Sequence, residues 1–109
     1  MAEADARIMY LFVFFDLPTR TFEEKKGYMK FRKFLKEDGY NMLQYSIYTR
    51  VCRGMESVKA HRAKLKAHLP EAGCIRLLLL TEKQYGAIEI LLGKKRVSEK
   101  YEQLSLLTF

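Results

Sequence analysis

Few side chains in this sequence are of types that do chemistry, and one of them stands where a scaffold would hold it. Asp16 follows the apolar run Ile8-Met9-Tyr10-Leu11-Phe12-Val13-Phe14-Phe15 and precedes Leu17-Pro18-Thr19, a turn closed by proline. A carboxylate where a buried strand gives way to a loop is positioned by the rigid element yet faces solvent. One carboxylate per chain is poor for a hydrolase. However, Mg²⁺ commonly binds through one or two carboxylates and keeps several waters. A two-fold axis near this strand end would bring two copies of Asp16 together. The other reading of Asp16 is a cap for the turn or for the following helix.

Cys52, His61, His68 and Cys74 total four soft ligands. Their spacing, C-x8-H-x6-H-x5-C, contains no close pair to nucleate a zinc site. They read as buried free thiols with structural or solvated histidines, since neither histidine has a partner pattern for acid–base work. Two cysteines are too few for a disulfide framework and fit a reducing compartment. The sequence has no Walker loop, no G-x-G-x-x-G and no nucleophile elbow. It also lacks the aromatic motif that an RNA-recognition module carries on its sheet.

Charge is more informative. The 109 residues hold 20 Lys and Arg against 13 Asp and Glu, a net charge of +7. That balance favours a polyanionic partner, nucleic acid before membrane. Hydrophobic residues at 49 % exclude wholesale disorder, and the length suits one domain with its own core. No apolar run approaches the ~18 residues of a membrane span. The acidic Met1-Ala2-Glu3-Ala4-Asp5-Ala6 start lacks the order of a signal peptide. The expectation is a soluble cytoplasmic domain.

The elements follow from periodicity. Ile8 to Phe15, apolar at every position, predicts a strand covered on both faces. Thr21 to Asp38 predicts a helix capped by Thr21, with Tyr28, Phe31, Phe34 and Leu35 on one arc. Lys25, Lys26, Lys30, Arg32, Lys33 and Lys36 fall on the opposite arc without an anion among them, a pattern suited to phosphate contact. Gly39 ends this helix. Tyr40 to Cys52 predicts two short strands breaking near Tyr45, with Leu43, Tyr45, Ile47 and Val51 on one parity. Gln44, Ser46, Tyr48 and Arg50 share the other. A second helix, Met55 to Leu69, precedes strand-like runs at Cys74 to Leu80 and Ala87 to Leu92. A basic linker, Gly93-Lys94-Lys95-Arg96, leads to a tail with Leu104, Leu106, Leu107 and Phe109, too apolar for a free end.

The predicted fold is α+β, a ferredoxin-like βαββαβ domain over residues 1–93 with an extra C-terminal strand, and a tail over 94–109. Helices cover one face of such a sheet, yet the first strand is apolar on both. A second copy of the sheet is the simplest cover under two-fold symmetry, so a homodimer through the sheets is expected. The same plan separates Cys52 from Cys74.

Several of these segments carry a family resemblance. Tyr10 to Thr19 (YLFVFFDLPT), Phe31-Arg32-Lys33-Phe34-Leu35, Gly39-Tyr40, Met42 to Tyr48 (MLQYSIY) and Thr81-Glu82-Lys83-Gln84-Tyr85 resemble the small CRISPR-associated Cas-two proteins. The Met-Leu-Gln-Tyr-Ser segment and the Leu-Thr-Phe ending are similar to the version found in type II systems. The resemblance implies a ferredoxin-like homodimer that bridges two dimers of the Cas-one integrase during spacer acquisition. Prespacer duplex DNA would lie along that bridge, held through phosphates. The basic surface and Lys94, Lys95 and Arg96 would serve there, and the tail would dock the integrase. It also implies a metal-dependent endonuclease acting on RNA or DNA, with Asp16 as the Mg²⁺ ligand and Ser46 and Tyr48 matching further positions that support cleavage. Lys25 and Lys26 stand where some members have arginines.

Overall fold

The computed structural model describes residues 7–93. Its elements run β1 (Ile8–Asp16), α1 (Phe22–Glu37), β2 (Asn41–Gln44), β3 (Ile47–Arg53), α2 (Met55–Ala67), β4 (Cys74–Thr81) and α3 (Glu82–Gly86). The four strands form one sheet in the order β2-β3-β1-β4, and every neighbouring pair is antiparallel. The α+β class stands, and the element order is consistent with the ferredoxin-like plan. Among the described residues, no helix is long and apolar enough to cross a membrane. Lys94, Lys95, Arg96 and the tail residues Leu104, Leu106, Leu107 and Phe109 lie outside the described residues.

β1 is central, and its side chains divide by alternation. Met9, Leu11, Val13 and Phe15 point into the main core, where Phe31 and Leu35 of α1 and Val58 and Leu65 of α2 meet them. Tyr10 and Phe12 point to the opposite face. The expected arc of α1 holds, with Phe31 and Leu35 buried and Tyr28 and Phe34 packed against the core. Its ends are built locally. Thr21 Oγ1 accepts the Glu24 amide at 3.1 Å, and Glu24 Oε1 accepts the Thr21 amide at 3.0 Å. Such a capping box satisfies two amides the helix leaves open, typically worth ~1 kcal/mol. At the other end Gly39 takes φ +93°, and the Tyr40 amide bonds back to the Leu35 carbonyl at 2.9 Å.

One expectation changes, and two features are added. First, Ala87 to Leu92 is not a strand. A second capping box, Thr81 Oγ1 with the Gln84 amide and Gln84 Oε1 with the Thr81 amide, turns the chain into α3 directly after β4. Ala87 becomes its C-cap, and Ile90, Leu91 and Leu92 are exposed. Second, the helix-free face of the sheet is partly covered from within the chain. Tyr85 of α3 stacks on Tyr10 with ring centroids 3.9 Å apart and planes 6° off parallel. The cover is incomplete, because Leu78, opposite Phe12 in the register, is 46 % exposed. Third, Leu43, Ile47 and Val51 lie on this helix-free face, while Tyr48 and Cys52 face the helices. Both faces of the sheet are apolar, so alternation alone did not reveal which one the helices take.

Cys52 is buried under the helices, whereas Cys74, expected to be buried, is exposed at the start of β4. They stand on strands flanking β1 from opposite sides, which keeps them apart. Burial pushes the Cys52 thiol up from its ordinary value, and burial, aided by Asp38, does the same to the Tyr40 phenol. Both groups are therefore neutral in the folded chain. Their stabilising effect is full below the unfolded thiol value of ~8.5 and is lost as pH rises beyond it. A thiol reagent near neutral pH should modify Cys74 rapidly and Cys52 only on unfolding. Urea midpoints should hold steady up to about pH 8.5 and then decline.

Candidate nucleic-acid interface and carboxylate

Asp16 is the last residue of β1, exposed, with Cys74 opposite it on β4. Alternation continues from Phe14, so Asp16 belongs to the helix-free face. The chain holds this strand end from two sides. On one, Gly73 takes φ +105°, and a Cβ there would lie 2.5 Å from Leu17 Cδ2 and 2.8 Å from the Asp16 carbonyl oxygen. Only a residue without a side chain lets the α2–β4 loop close on β1 this tightly. On the other, the Ser46 carbonyl accepts the Phe15 amide at 3.1 Å. Ser46 itself takes φ 64° in the turn between β2 and β3. Asp16 and Ser46 thus share one end of the sheet.

Tyr48 does not join them on that face. It is buried beneath α1, with its ring 5.6 Å from that of Phe15. Its hydroxyl accepts a hydrogen bond from Arg32 Nε at 2.9 Å. That bond holds the Arg32 guanidinium in its charged form and raises its pKa. Arg32 is consequently half-buried against Tyr48 rather than part of the outer arc. Tyr28, one helical turn before Arg32, extends this cluster. The neighbouring Tyr45 phenol raises its pKa, as does partial burial. The i, i+4 spacing of Tyr28 and Arg32 was the signal that could have found this flank.

The other five cations of α1 stand as expected. Lys25, Lys26, Lys30, Lys33 and Lys36 are exposed, and none of them is in an ion pair among the described residues. α2 lies in the same helix layer and adds exposed Arg62 and Lys66, which sequence reasoning missed because α2 carries its cations singly. The carboxylate nearest this layer's core is otherwise engaged. Asp38, with its side chain 8 % exposed, accepts from His61 Nδ1 at 2.8 Å and Lys64 Nζ at 3.4 Å. His61 is therefore a tie between α1 and α2, the structural role expected of it. Arg50 Nε donates to the Asp38 carbonyl at 2.9 Å while its guanidinium lies over Gly39.

Among the described residues, no three His, Cys, Asp or Glu side chains cluster closely enough to hold a metal. The site is thus one exposed carboxylate at a strand end, backed by a cationic helix layer. Comparison with known proteins places this arrangement. The family model of the CRISPR associated protein Cas2 matches residues 9–88. The chain belongs to the Cas2 family. It is 44 % identical over 91 residues to the CRISPR-associated endoribonuclease Cas2 of Flavobacterium psychrophilum, covering 84 % of this chain and 79 % of that one. With the protein of the same name from Ligilactobacillus salivarius it shares 47 % identity over 87 residues, 80 % of this chain and 86 % of the relative. The Parvibaculum lavamentivorans protein is 43 % identical over 88 residues, 81 % and 87 % of the two chains. The stretch that matches the Cas2 family contains Asp16, Ser46, Tyr48 and the whole of α1 and α3.

The Gly73 contact yields a direct expectation. Gly73→Ala should lower stability by at least ~1 kcal/mol, since the positive φ alone carries that penalty and the clash adds to it. Chemical denaturation monitored by circular dichroism measures it. A variant as stable as wild type would mean that the loop can leave Asp16 and Leu17 at no cost.

Proposed function

We propose that this chain is the dimeric bridge of a CRISPR adaptation complex, holding prespacer duplex DNA by its phosphates while two Cas-one integrase dimers dock at its ends. The observation that carries this reading is the set of exposed, unpaired lysines along α1. Cations without carboxylate partners can displace the counterions condensed on an anionic backbone, and they suit contacts that ignore base identity. The partly bare helix-free face, with Phe14 and Leu78, suits a second copy of the sheet, and the two-fold axis would bring the Asp16 strand ends toward each other. The apolar tail, Leu104, Leu106, Leu107 and Phe109, suits strand addition or groove docking on the integrase. Lys94, Lys95 and Arg96 extend the phosphate contacts.

A second reading, Mg²⁺-dependent cleavage of RNA or DNA, is favoured by the endoribonuclease name of the relatives. Asp16 supplies a hard oxygen donor in the open, which fits an ion that keeps most of its waters, and no soft ligand set competes for it. Mg²⁺ bound there would polarise a phosphodiester and stabilise charge developing on it. The protein's own part would be to hold the Asp16 carboxylate still, through Gly73 and the Ser46 carbonyl. Tyr48, bonded to Arg32, would set the flank of the substrate path rather than touch the metal.

Two measurements test these readings. Salt dependence of duplex binding should be steep and nearly independent of sequence. Each phosphate contact removed by changing Lys25, Lys33 or Lys36 to Glu should flatten the log–log slope by ~0.9. Unchanged affinity and slope in a double charge reversal would reduce the lysines to a solvated face. Asp16→Asn separates the two readings. As a nuclease, the chain should lose Mg²⁺-dependent cleavage by at least about a hundredfold. As a bridge, the same variant should bind duplex, bind the integrase and support integration near wild-type levels.

A further inference from the structure

A groove of about 500 Å³ lies between α1 and the loop from α2 to β4, on the flank of α1 that carries Lys26 and Lys30. That volume lies within the range of small-molecule sites. Leu17, Pro18, Phe34, Leu69 and Pro70 supply its apolar wall. Gly27 opens it from the helix side. Glycine in a helix interior destabilises the helix, and here packing does not demand it, because a Cβ at Gly27 would meet nothing within 4 Å. What the missing side chain provides is space in the groove.

The groove also holds an aromatic platform. The rings of Phe34 and His68 stack with centroids 4.1 Å apart and planes 9° off parallel. The imidazole is fixed by a 2.8 Å contact between Nδ1 and the Lys64 carbonyl. His68 is exposed, so the stacked pair is accessible from solvent at its ring. Lys26 and Lys30 border the groove as cations, while Glu23 and Glu71 offer acceptors and Glu24 is engaged in the helix cap. A stacked platform beside exposed cations is the combination that binds single-stranded nucleic acid, with acceptors placed for exocyclic amines. We propose that this groove takes one unpaired nucleotide of a strand extending from the duplex, its base stacked on the His68–Phe34 pair and its phosphates on Lys26 and Lys30. The proposal rests on the DNA-binding reading for its partner and adds a single-stranded site to it.

The test compares a blunt duplex with the same duplex carrying a short single-stranded extension that contains the fluorescent base aminopurine. Wild type should bind the extended duplex about tenfold more tightly and quench the aminopurine by stacking. Gly27→Leu fills the groove while improving helix propensity, and His68→Ala removes half of the platform. Both variants should bring the extended duplex to the blunt value, abolish quenching and leave blunt binding unchanged. Equal wild-type affinity for the two duplexes, or quenching that survives both variants, overturns the proposal. If blunt duplex is not bound at all, the bridge reading fails separately. The groove is then judged on a free single strand, where quenching lost in Gly27→Leu upholds it and absence of quenching ends it.

Discussion

Strand β1 has no solvent side. It is hydrogen-bonded to β3 along one edge and β4 along the other, and its side chains are buried from Met9 through Val13 whichever way they point. Everything else in the fold answers that constraint. Two helices are needed to cover Leu11, Val13 and Phe15, and a third, short one lays Tyr85 on Tyr10. Apolar side chains buried on both faces each contribute roughly 1.5–3 kcal/mol, so a strand of this composition has few alternatives to the centre of a sheet. Its two ends then become the fixed points of the molecule. Asp16 stands on one of them, which is why a residue in an exposed position is nonetheless well held.

The distribution of charge follows a different logic from the core. Three carboxylates among the described residues have local tasks: Glu24 closes the α1 cap, Glu56 pairs with Lys59, and Asp38 joins α1 to α2 through His61 and Lys64. The cations of α1 have no such tasks, apart from Arg32. The surface near α1 is therefore more positive than a net charge spread over the whole chain would suggest, and its field extends on the order of a Debye length, ~8 Å at physiological salt.

Much of this was legible in the sequence because the signals were local. The capped α1, the strand at Ile8 to Phe15, the turn at Tyr45-Ser46 and the exposed lysines each follow from residue type and spacing over a few positions. What the sequence concealed depended on distant partners. Thr81-Glu82-Lys83-Gln84-Tyr85 reads as a connection between two strand-like runs until its capping box is recognised, and nothing local says that Tyr85 finds Tyr10. Arg32 has the helical phase of a solvent-side cation, yet a buried phenol sixteen residues away captures it. Tyr48 resembled a site residue, and the structure gives its hydroxyl to Arg32. Gly73 carries no signal of its own in the sequence, and its role appears only when Leu17 is placed against it.

The pairing of Asp16 with Cys74 has a consequence for the life of the chain before it is folded. β1 is synthesised before both of its neighbours in the sheet, which come from the middle and the far end of the described chain. At roughly 5–20 residues per second, the 58 residues from Leu17 through Cys74 take about 3–12 s to make. For that interval the most apolar segment of the protein lacks its β4 edge, and the cover that α3 provides comes later still. Long-range antiparallel pairing is also slow to form once the partner exists. The hairpin of β2 and β3 arrives in between and offers β1 an edge through Thr49 and Val51, well before β4 is complete. The order of the elements along the chain thus shortens the exposure of a segment that would otherwise invite association with its own copies on neighbouring ribosomes.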